Sequence, residues 1–458
     1  MSEPRLALLP LMLEQYDAWA PGLRPAQETF LASASEFLAR LGSVSDPGIC
    51  NTRAAVDAAV AAAEREAADL LVVLLLSYAP SLIALPALAR TRLPLLLLNT
   101  TPRADMGPDI QASDYLENHA IHGVQDLANV LRRAGKQHGI VSGHLGDPAV
   151  AAALTEWAAA ARALRLWQTL RVGRMGATFP GMGDFAVDAT ALLASGPEVV
   201  DLSPEVFMQA WERADAERVA ALVQEYRAEY DTSAMSEEGL RSTASTELAL
   251  RAVVEEARLG AIAFSFLIFE HLAGPTMPFV GASRLMAEGL GYSGEGDALG
   301  AAAVAVAHHL TGCAGFTEMF CPDWRRDEVL MSHMGEANPS LAAERPAMVE
   351  KDFLLGAGAR LGVLLFKWQS GPATLASLTV GPEARLRWVV TEGEIADSPR
   401  YPALDAPHCK FRPHLPLPDF LTAYSEAGGS HHLAVCPGRV ASRFRRFADL
   451  AGLCCLQV

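Results

Sequence analysis

The sequence predicts an α/β protein: two doubly wound parallel-sheet domains followed by a β-rich, barrel-like C-terminal domain. Two uninterrupted apolar runs, residues 70–76 and 93–98, alternate with stretches of helical spacing. Strands without polar–apolar alternation are buried on both faces, the mark of a parallel sheet covered by helices. The alternation resumes at 137–142 and 147–164, and after Lys351 short β segments are punctuated by Gly-Pro pairs.

Each element follows from local pattern. Residues 5–12 read as a first strand, and 26–41 as a helix that can turn Phe30, Phe37 and Leu38 to one face. A second helix over 52–67 takes Asn51 or Thr52 as its N-cap. The strand at 93–98 ends in Asn99-Thr100-Thr101-Pro102. Past the helix at 147–164, a loop at 173–184 carries four glycines, followed by a short strand at 199–202 and one charged amphipathic helix over 204–230. The polar stretch 230–239 reads as a solvated hinge, 240–259 as a helix and 261–269 as a buried strand. Residues 361–367, 374–380 and 384–392 are β segments divided by Gly371-Pro372 and Gly381-Pro382, before a last helix at 439–453 and a terminal strand. The expected domains are 1–140, 141–345 and 346–458, the last contributing one histidine to a site carried by the second.

Bulk properties narrow the function classes. A hydrophobic content of 51% over 458 residues supplies a large core and excludes global disorder. A net charge of −16 repels nucleic acid and anionic membrane, which leaves a neutral small molecule or a metal as partner. The seven cysteines are odd in number and scattered, with no C-x-x-C pair, which points to a reducing compartment, the cytoplasm, rather than a disulfide framework. The N-terminus has no basic region before its apolar run and reads as a strand, not a signal peptide. The longest membrane-like segment, 70–89, contains two prolines and a Ser-Tyr break, so no membrane span is expected.

Four short strings hold acids and histidines: GYSGEGD (291–297) with Glu295, FTEMFCPDW (316–324) with Glu318, SHMGEANPS (332–340) with His333, and GGSHHLAV (428–435) with His431 and His432. Glu318 is flanked by Phe316, Met319, Phe320 and Cys321, and a carboxylate buried in such company needs a partner, a proton or a cation. Two carboxylates with two imidazoles suit Mn²⁺, Co²⁺, Fe²⁺ or Mg²⁺ and leave positions open for substrate oxygens. Neighbouring histidines point in different directions on a strand or a helix, so one of His431 and His432 is expected as ligand. Composition and spacing alone leave this four-residue set open, because a lone glutamate in a glycine-rich turn is more often a solvated loop residue.

The strings resemble those of bacterial L-arabinose isomerases, in the same order and 23, 15 and 99 residues apart. Residues 277–304 are similar to the stretch that supplies that family's first glutamate ligand, Phe316–Phe320 to the string with the second, residues 330–336 to the string with the first histidine, and Gly429-Ser430-His431-His432 to the string with the second. The resemblance implies a divalent cation, Mn²⁺ or a similar ion, held by Glu295, Glu318, His333 and His432, with Glu295 and Glu318 also catalytic. It leaves Tyr78, His122 and His431 for substrate, His122 acting from a neighbouring subunit of a trimer or hexamer. It also departs from the family: residues 9–16 replace the N-terminal GSQHLYG string, and Val124-Gln125-Asp126 replaces three charged residues.

The activity so implied is an aldose–ketose isomerisation of a free pentose or hexose, in a divergent member related to L-arabinose and L-fucose isomerases. A cation on the oxygens of C1 and C2 stabilises charge as a carboxylate moves a proton. An epimerase on the same scaffold, or a sugar-binding protein without turnover, are the competing expectations. A metal hydrolase has less support, since no H-E-x-x-H string is present.

Overall fold

A computed structural model describes residues 3–270, 272, 274–352 and 360–458. The chain divides into two compact units, residues 1–165 with 445–452, and residues 166–444 with 453–458.

The first unit is built on β1 (Arg5–Leu11), β2 (Ser43–Ser45), β3 (Leu70–Leu75), β4 (Leu95–Asn99) and β5 (Gly139–Ser142). They form one parallel sheet in the order β2-β1-β3-β4-β5. The continuous apolar run of β3 serves two cores. Leu71, Val73 and Leu75 join Val56, Val60, Leu127 and Leu131 on one face. Leu70, Val72 and Leu74 join Phe30, Leu38, Leu154 and Trp157 on the other. With every β3 side chain buried, truncating one of its leucines to alanine costs about 2–5 kcal/mol. The helix Arg53–Arg65 is capped by Thr52, whose Oγ1 accepts from Ala55 N at 3.2 Å, and Asn51 is not the cap.

The second unit begins with β6 (Arg171–Met175), β7 (Glu198–Leu202), β8 (Asp231–Ala234), β9 (Ala261–Phe264) and β10 (Gly291–Ser293). Four of these make a parallel sheet in the order β10-β9-β6-β7. Several boundaries differ from the sequence reading. The loop expected from 173 starts three residues later, because Gly173–Met175 continue β6. The single helix expected over 204–230 is two, Pro204–Glu212 and Ala216–Glu229, because the Asp215 side chain accepts from Glu217 N and Arg218 N and starts a new helix. The expected hinge contains β8, and Ser236 caps the helix Glu237–Glu256. The strand expected to reach 269 ends at Phe264 and turns into a 3₁₀ segment, Phe266–Glu270.

The remaining strands are β11 (Gly315–Asp323), β12 (Glu328–Ser332), β13 (Ala347–Asp352), β14 (Arg360–Leu365), β15 (Gly371–Val380), β16 (Leu386–Ile395), β17 (His408–Pro413), β18 (His432–Pro437) and β19 (Cys454–Gln457). Strands β15, β18, β11, β12, β17 and β16 pair antiparallel in that order, and β16 pairs back to β15, so the six close on themselves. Closure removes the free edges that an open sheet would expose. Strand β19 adds parallel to β16, and β14, β13 and β8 form a separate small sheet. Leu375, Val389, Phe411, Leu433 and Val435 belong to the core of this region. No helix among the described residues is long and apolar enough to cross a membrane.

Candidate metal centre

Glu295 sits in the turn between β10 and the helix Ala298–Thr311. Its φ is +58° and that of Gly296 is +72°, two consecutive left-handed residues. For a residue with a Cβ this region costs about 1–3 kcal/mol, a strain characteristic of functional turns. The flanking glycines are required by close approach. A Cβ on Gly294 would lie 2.9 Å from His333 Cε1, and one on Gly296 would lie 2.6 Å from Ala177 O. The backbone oxygen of Glu295 accepts from Phe179 N at 3.0 Å, tying the turn to the loop after β6.

Glu318 and His432, 114 residues apart in sequence, are brought together by strand pairing. They are direct cross-strand partners on β11 and β18. Opposite residues on an antiparallel pair share a face, and Nε2 of His432 lies 3.0 Å from Oε1 of Glu318 and 3.6 Å from Oε2 of Glu295. Ser332, the other cross-strand partner of Glu318, ends β12 and delivers His333, whose Nε2 is 3.5 Å from Oε1 of Glu318. Phe316 packs edge-on to both rings, and Phe185 stacks on His432 at 4.9 Å with the planes 4° apart.

Each imidazole has a carboxylate behind it, hydrogen-bonded to Nδ1 in His432 and His431 and close to it without a well-directed hydrogen bond in His333. His432 Nδ1 is 2.8 Å from Asp297 Oδ2, His333 Nδ1 is 2.8 Å from Glu336 Oε1, and His431 Nδ1 is 2.7 Å from Asp184 Oδ2. Tyr292 donates to Glu336 at 2.7 Å, and Ser430 Oγ and the His431 amide donate to Asp184. Such outer carboxylates fix ring orientation and tautomer and raise the basicity of the opposite nitrogen. The expectation that neighbouring histidines diverge does not hold. His431 precedes β18, so strand alternation does not apply to it, and its Nε2 also faces Glu318 and Glu295, at 3.7 and 3.8 Å.

The electrostatics are those of a trap for positive charge. Burial alone would push the His432 and His431 imidazoles down. Asp297 and Glu318 around the first, and Asp184, Glu295 and Glu318 around the second, hold them up at about 9 and about 10. His333 is raised in the same way, burial being outweighed by Glu336 and Glu318. Burial pushes the Glu318 carboxyl up, and His432, His333 and His431 override it and leave it below the usual carboxylate range. Glu295, Glu318, His431 and His432 each offer a ligand atom within 4.8 Å of the other three. His333 is not one of these four, although its approach to Glu318 is closer than that of His431. Glu295 Oε2 and His432 Nε2 are buried without a well-directed hydrogen bond from a described residue, which is how ligand atoms are left when a cation belongs between them. Carboxylate oxygens with imidazole nitrogens fit a divalent ion.

The structure thus gathers Glu295, Glu318, His333, His431 and His432 within the second unit. Tyr78 and His122 are in the first unit, with Tyr78 partly buried and His122 exposed. The sequence reading missed Asp297, Glu336 and Asp184. Asp297 lies two residues from Glu295 and Glu336 three from His333, so proximity in sequence is their signal. Asp184 is 247 residues from His431, and only the fold connects them.

The N-terminal, central and C-terminal domain families of L-arabinose isomerase match residues 41–169, 187–312 and 313–454. The L-arabinose isomerase of Acidothermus cellulolyticus is 31% identical over 402 residues, covering 82% of this chain and 78% of the relative. That of Geobacillus kaustophilus is 29% identical, covering 83% and 79%, and that of Saccharophagus degradans 28%, covering 73% and 69%. A D-allose-bound periplasmic solute-binding protein from Actinobacillus succinogenes covers 57% of this chain and 78% of its own at 14% identity and a TM-score of 0.16, too low to bear on fold or ligand. The relatives define the class: a sugar isomerase, an enzyme. The chain belongs to the L-arabinose isomerase family.

Proposed function

We propose that this enzyme interconverts a free aldose and its ketose, L-arabinose or a related pentose or hexose, using one divalent cation of the Mn²⁺ type. The observation that carries the reading is the approach of the Glu295 and Glu318 carboxylates to the His432 imidazole, with His333 3.5 Å from Glu318. His333 is taken as ligand over His431 because it is buried, whereas the side chain of His431 is 40% exposed.

A cation held by these residues would supply Lewis acidity to the sugar's carbonyl and so make the C2–H more acidic. The chain's own groups do the rest. One of the Glu295 and Glu318 carboxylates takes the proton from C2 of the aldose and returns it to C1. The electron pair left on C2 forms a C1–C2 double bond while the C1 carbonyl pair moves to O1; the pair released by O2 on losing its proton then makes the C2 carbonyl as the double-bond pair takes the proton at C1. The second carboxylate carries the hydroxyl proton from O2 to O1, so no atom is gained or lost. Asp297 keeps the His432 proton on Nδ1, leaving its Nε2 free. A cavity of about 330 Å³ lined by Phe320, Leu330, His333 and Leu404 is at the small end of ligand pockets and suits a monosaccharide. A groove of about 1140 Å³ across Cys321, Trp324 and Lys410 is larger, but it does not reach a ligand atom.

We read the protein as a cytoplasmic homo-oligomer. Its seven cysteines are all free, which suits a reducing compartment. The test is metal analysis of the purified protein, then an aldose panel of L-arabinose, L-fucose and D-galactose with Mn²⁺, scored by ketose formation. Conversion that is abolished by EDTA and by Glu318→Gln supports the reading. Conversion indifferent to both, or sugar binding without any ketose, overturns it.

A further inference from the structure

The cavity of about 330 Å³ beside His333 has apolar walls, Phe320, Leu330, Met334 and Leu404. Phe320 and Leu404 are large apolar side chains left exposed, at 45% and 36%, and both line this one hollow. Exposed apolar groups gathered at a concavity mark a binding surface.

The polar groups around the cavity are already engaged. Lys351 Nζ donates to Met334 O at 3.0 Å and to Asp405 O at 3.2 Å. Ser332 Oγ donates to Pro407 O at 2.9 Å. The side chains of Asp352 and Asp405 are 83% and 73% exposed, so they stand in solvent at the rim.

Strand register relates the cavity to the carboxylates. Ser332 is the cross-strand partner of Glu318, so the two share a face of the sheet. Leu330 is on that face too, two residues back along β12 and about 7 Å from Ser332. Ser332, His333 and Leu330 all line the cavity. We propose that a sugar reacting at Glu318 lays its far end over Leu330 in this cavity, and that the substrate is a 6-deoxyhexose whose methyl group fills it. This rests on the proposed isomerisation at Glu295 and Glu318.

The choice follows from what each kind of sugar puts against these walls. A hexose brings a primary hydroxyl, and burying a hydroxyl without a partner costs more than its contacts return. A pentose has no C6 and leaves the walls facing water. A methyl group covers apolar surface and needs no hydrogen bond.

Two sugar series of matched configuration test this separately from the isomerase reading. One is L-arabinose, D-galactose and D-fucose, and the other is D-arabinose, L-galactose and L-fucose. Within a series the pentose, hexose and 6-deoxyhexose agree at C2, C3 and C4 and differ only past C4. Each is given to the purified enzyme with Mn²⁺, and kcat/KM is read from ketose formation. In whichever series is converted, the 6-deoxyhexose should exceed the other two by about tenfold or more, the worth of one apolar group in an apolar pocket. Leu404→Ser and Phe320→Ser change exposed side chains, which the fold tolerates, and each should bring that ratio to about threefold or less. A hexose equal to its 6-deoxy counterpart, or a pentose that leads its series, overturns the cavity assignment and leaves the isomerase standing. A preference that both variants preserve also overturns it, because the methyl contact then lies elsewhere. Ketose from none of the six sugars overturns the isomerase reading underneath, and this proposal with it.

Discussion

Asp297 and His432 form a buried pair, Oδ2 to Nδ1 at 2.8 Å, with neither side chain exposed to solvent. The same carboxylate caps the helix Ala298–Thr311, its Oδ1 accepting from Gly300 N at 2.8 Å. One side chain therefore sets both the start of the helix that follows Glu295 and the direction of the His432 ring. Asparagine keeps the capping ability and loses the charge. Asp297→Asn should melt within a few degrees of wild type yet bind Mn²⁺ roughly 10–100-fold more weakly, the usual effect of removing an outer partner of a metal-bound histidine. Titration calorimetry against Mn²⁺ checks it, and unchanged affinity would show that the carboxylate acts only as a cap.

Glu295 is held in a left-handed conformation that glycine adopts freely. Removing its side chain also removes a buried carboxylate oxygen that no described residue satisfies. Glu295→Gly should therefore melt above wild type when both are stripped with EDTA, while losing isomerase turnover altogether. A variant that is inactive and also less stable would mean that the turn is not strained and that the carboxylate supports the fold.

Gly296 makes the opposite case. Its φ of +72° and the 2.6 Å approach of a new Cβ to Ala177 O leave no room for a methyl group. The obstacle is backbone and cannot swing aside. Gly296→Ala should lower stability by about 1–3 kcal/mol and displace Glu295, so denaturant unfolding and Mn²⁺ affinity should fall together. Wild-type affinity in this variant would show that the turn shifts without moving the carboxylate.

What the sequence revealed and what it hid follow from the range of the interactions. Leu70–Leu75 is a buried strand in any parallel sheet, because its apolar run has no polar face to present. Thr52 caps its helix through the amide three residues on, so the local pattern reaches it, whereas the equally local cap at Ser236 lay inside the stretch read as a hinge. The split at Asp215 was missed although Asp215 is itself a cap, since the apolar spacing runs on across the break. The pairing of β8 with β13 joins Asp231 to Ala347, and nothing near Asp231 signals a partner 116 residues on. At the site, Glu295, Glu318, His333 and His432 stood out by family resemblance, whereas Asp184 needed the loop after β6 to be folded over His431.

Asp323 gives the pH dependence a sign. Lys410 beside it, and after that Arg326, hold its carboxyl at about 2 against an ordinary 3.8. A depressed carboxylate stabilises the fold in full above its unfolded value, and that contribution is lost as pH falls through the folded one. The gap in melting temperature between wild type and Asp323→Asn should thus be widest above pH ~4 and shrink from there towards pH ~2. Differential scanning calorimetry across that range tests it. A gap that stays constant would place the effect in packing and not in charge.

The last discrimination is between His333 and His431. Both turn Nε2 toward Glu318, at 3.5 and 3.7 Å, and both have a carboxylate behind them. They differ in surroundings. The His333 side chain is 5% exposed and packs against Phe316, whereas that of His431 is 40% exposed. A buried imidazole has no water with which to replace a missing partner, so its loss leaves the site incomplete, while water can take the place of an exposed one. His333→Ala should weaken Mn²⁺ binding more than 100-fold, beyond the roughly 10–100-fold range of outer partners. His431→Ala should weaken it no more than about tenfold and instead raise KM for the sugar. If calorimetry returns the reverse ranking, the cation sits among Glu295, Glu318, His431 and His432, the four whose ligand atoms already lie within 4.8 Å of one another, and His333 belongs to the wall behind them.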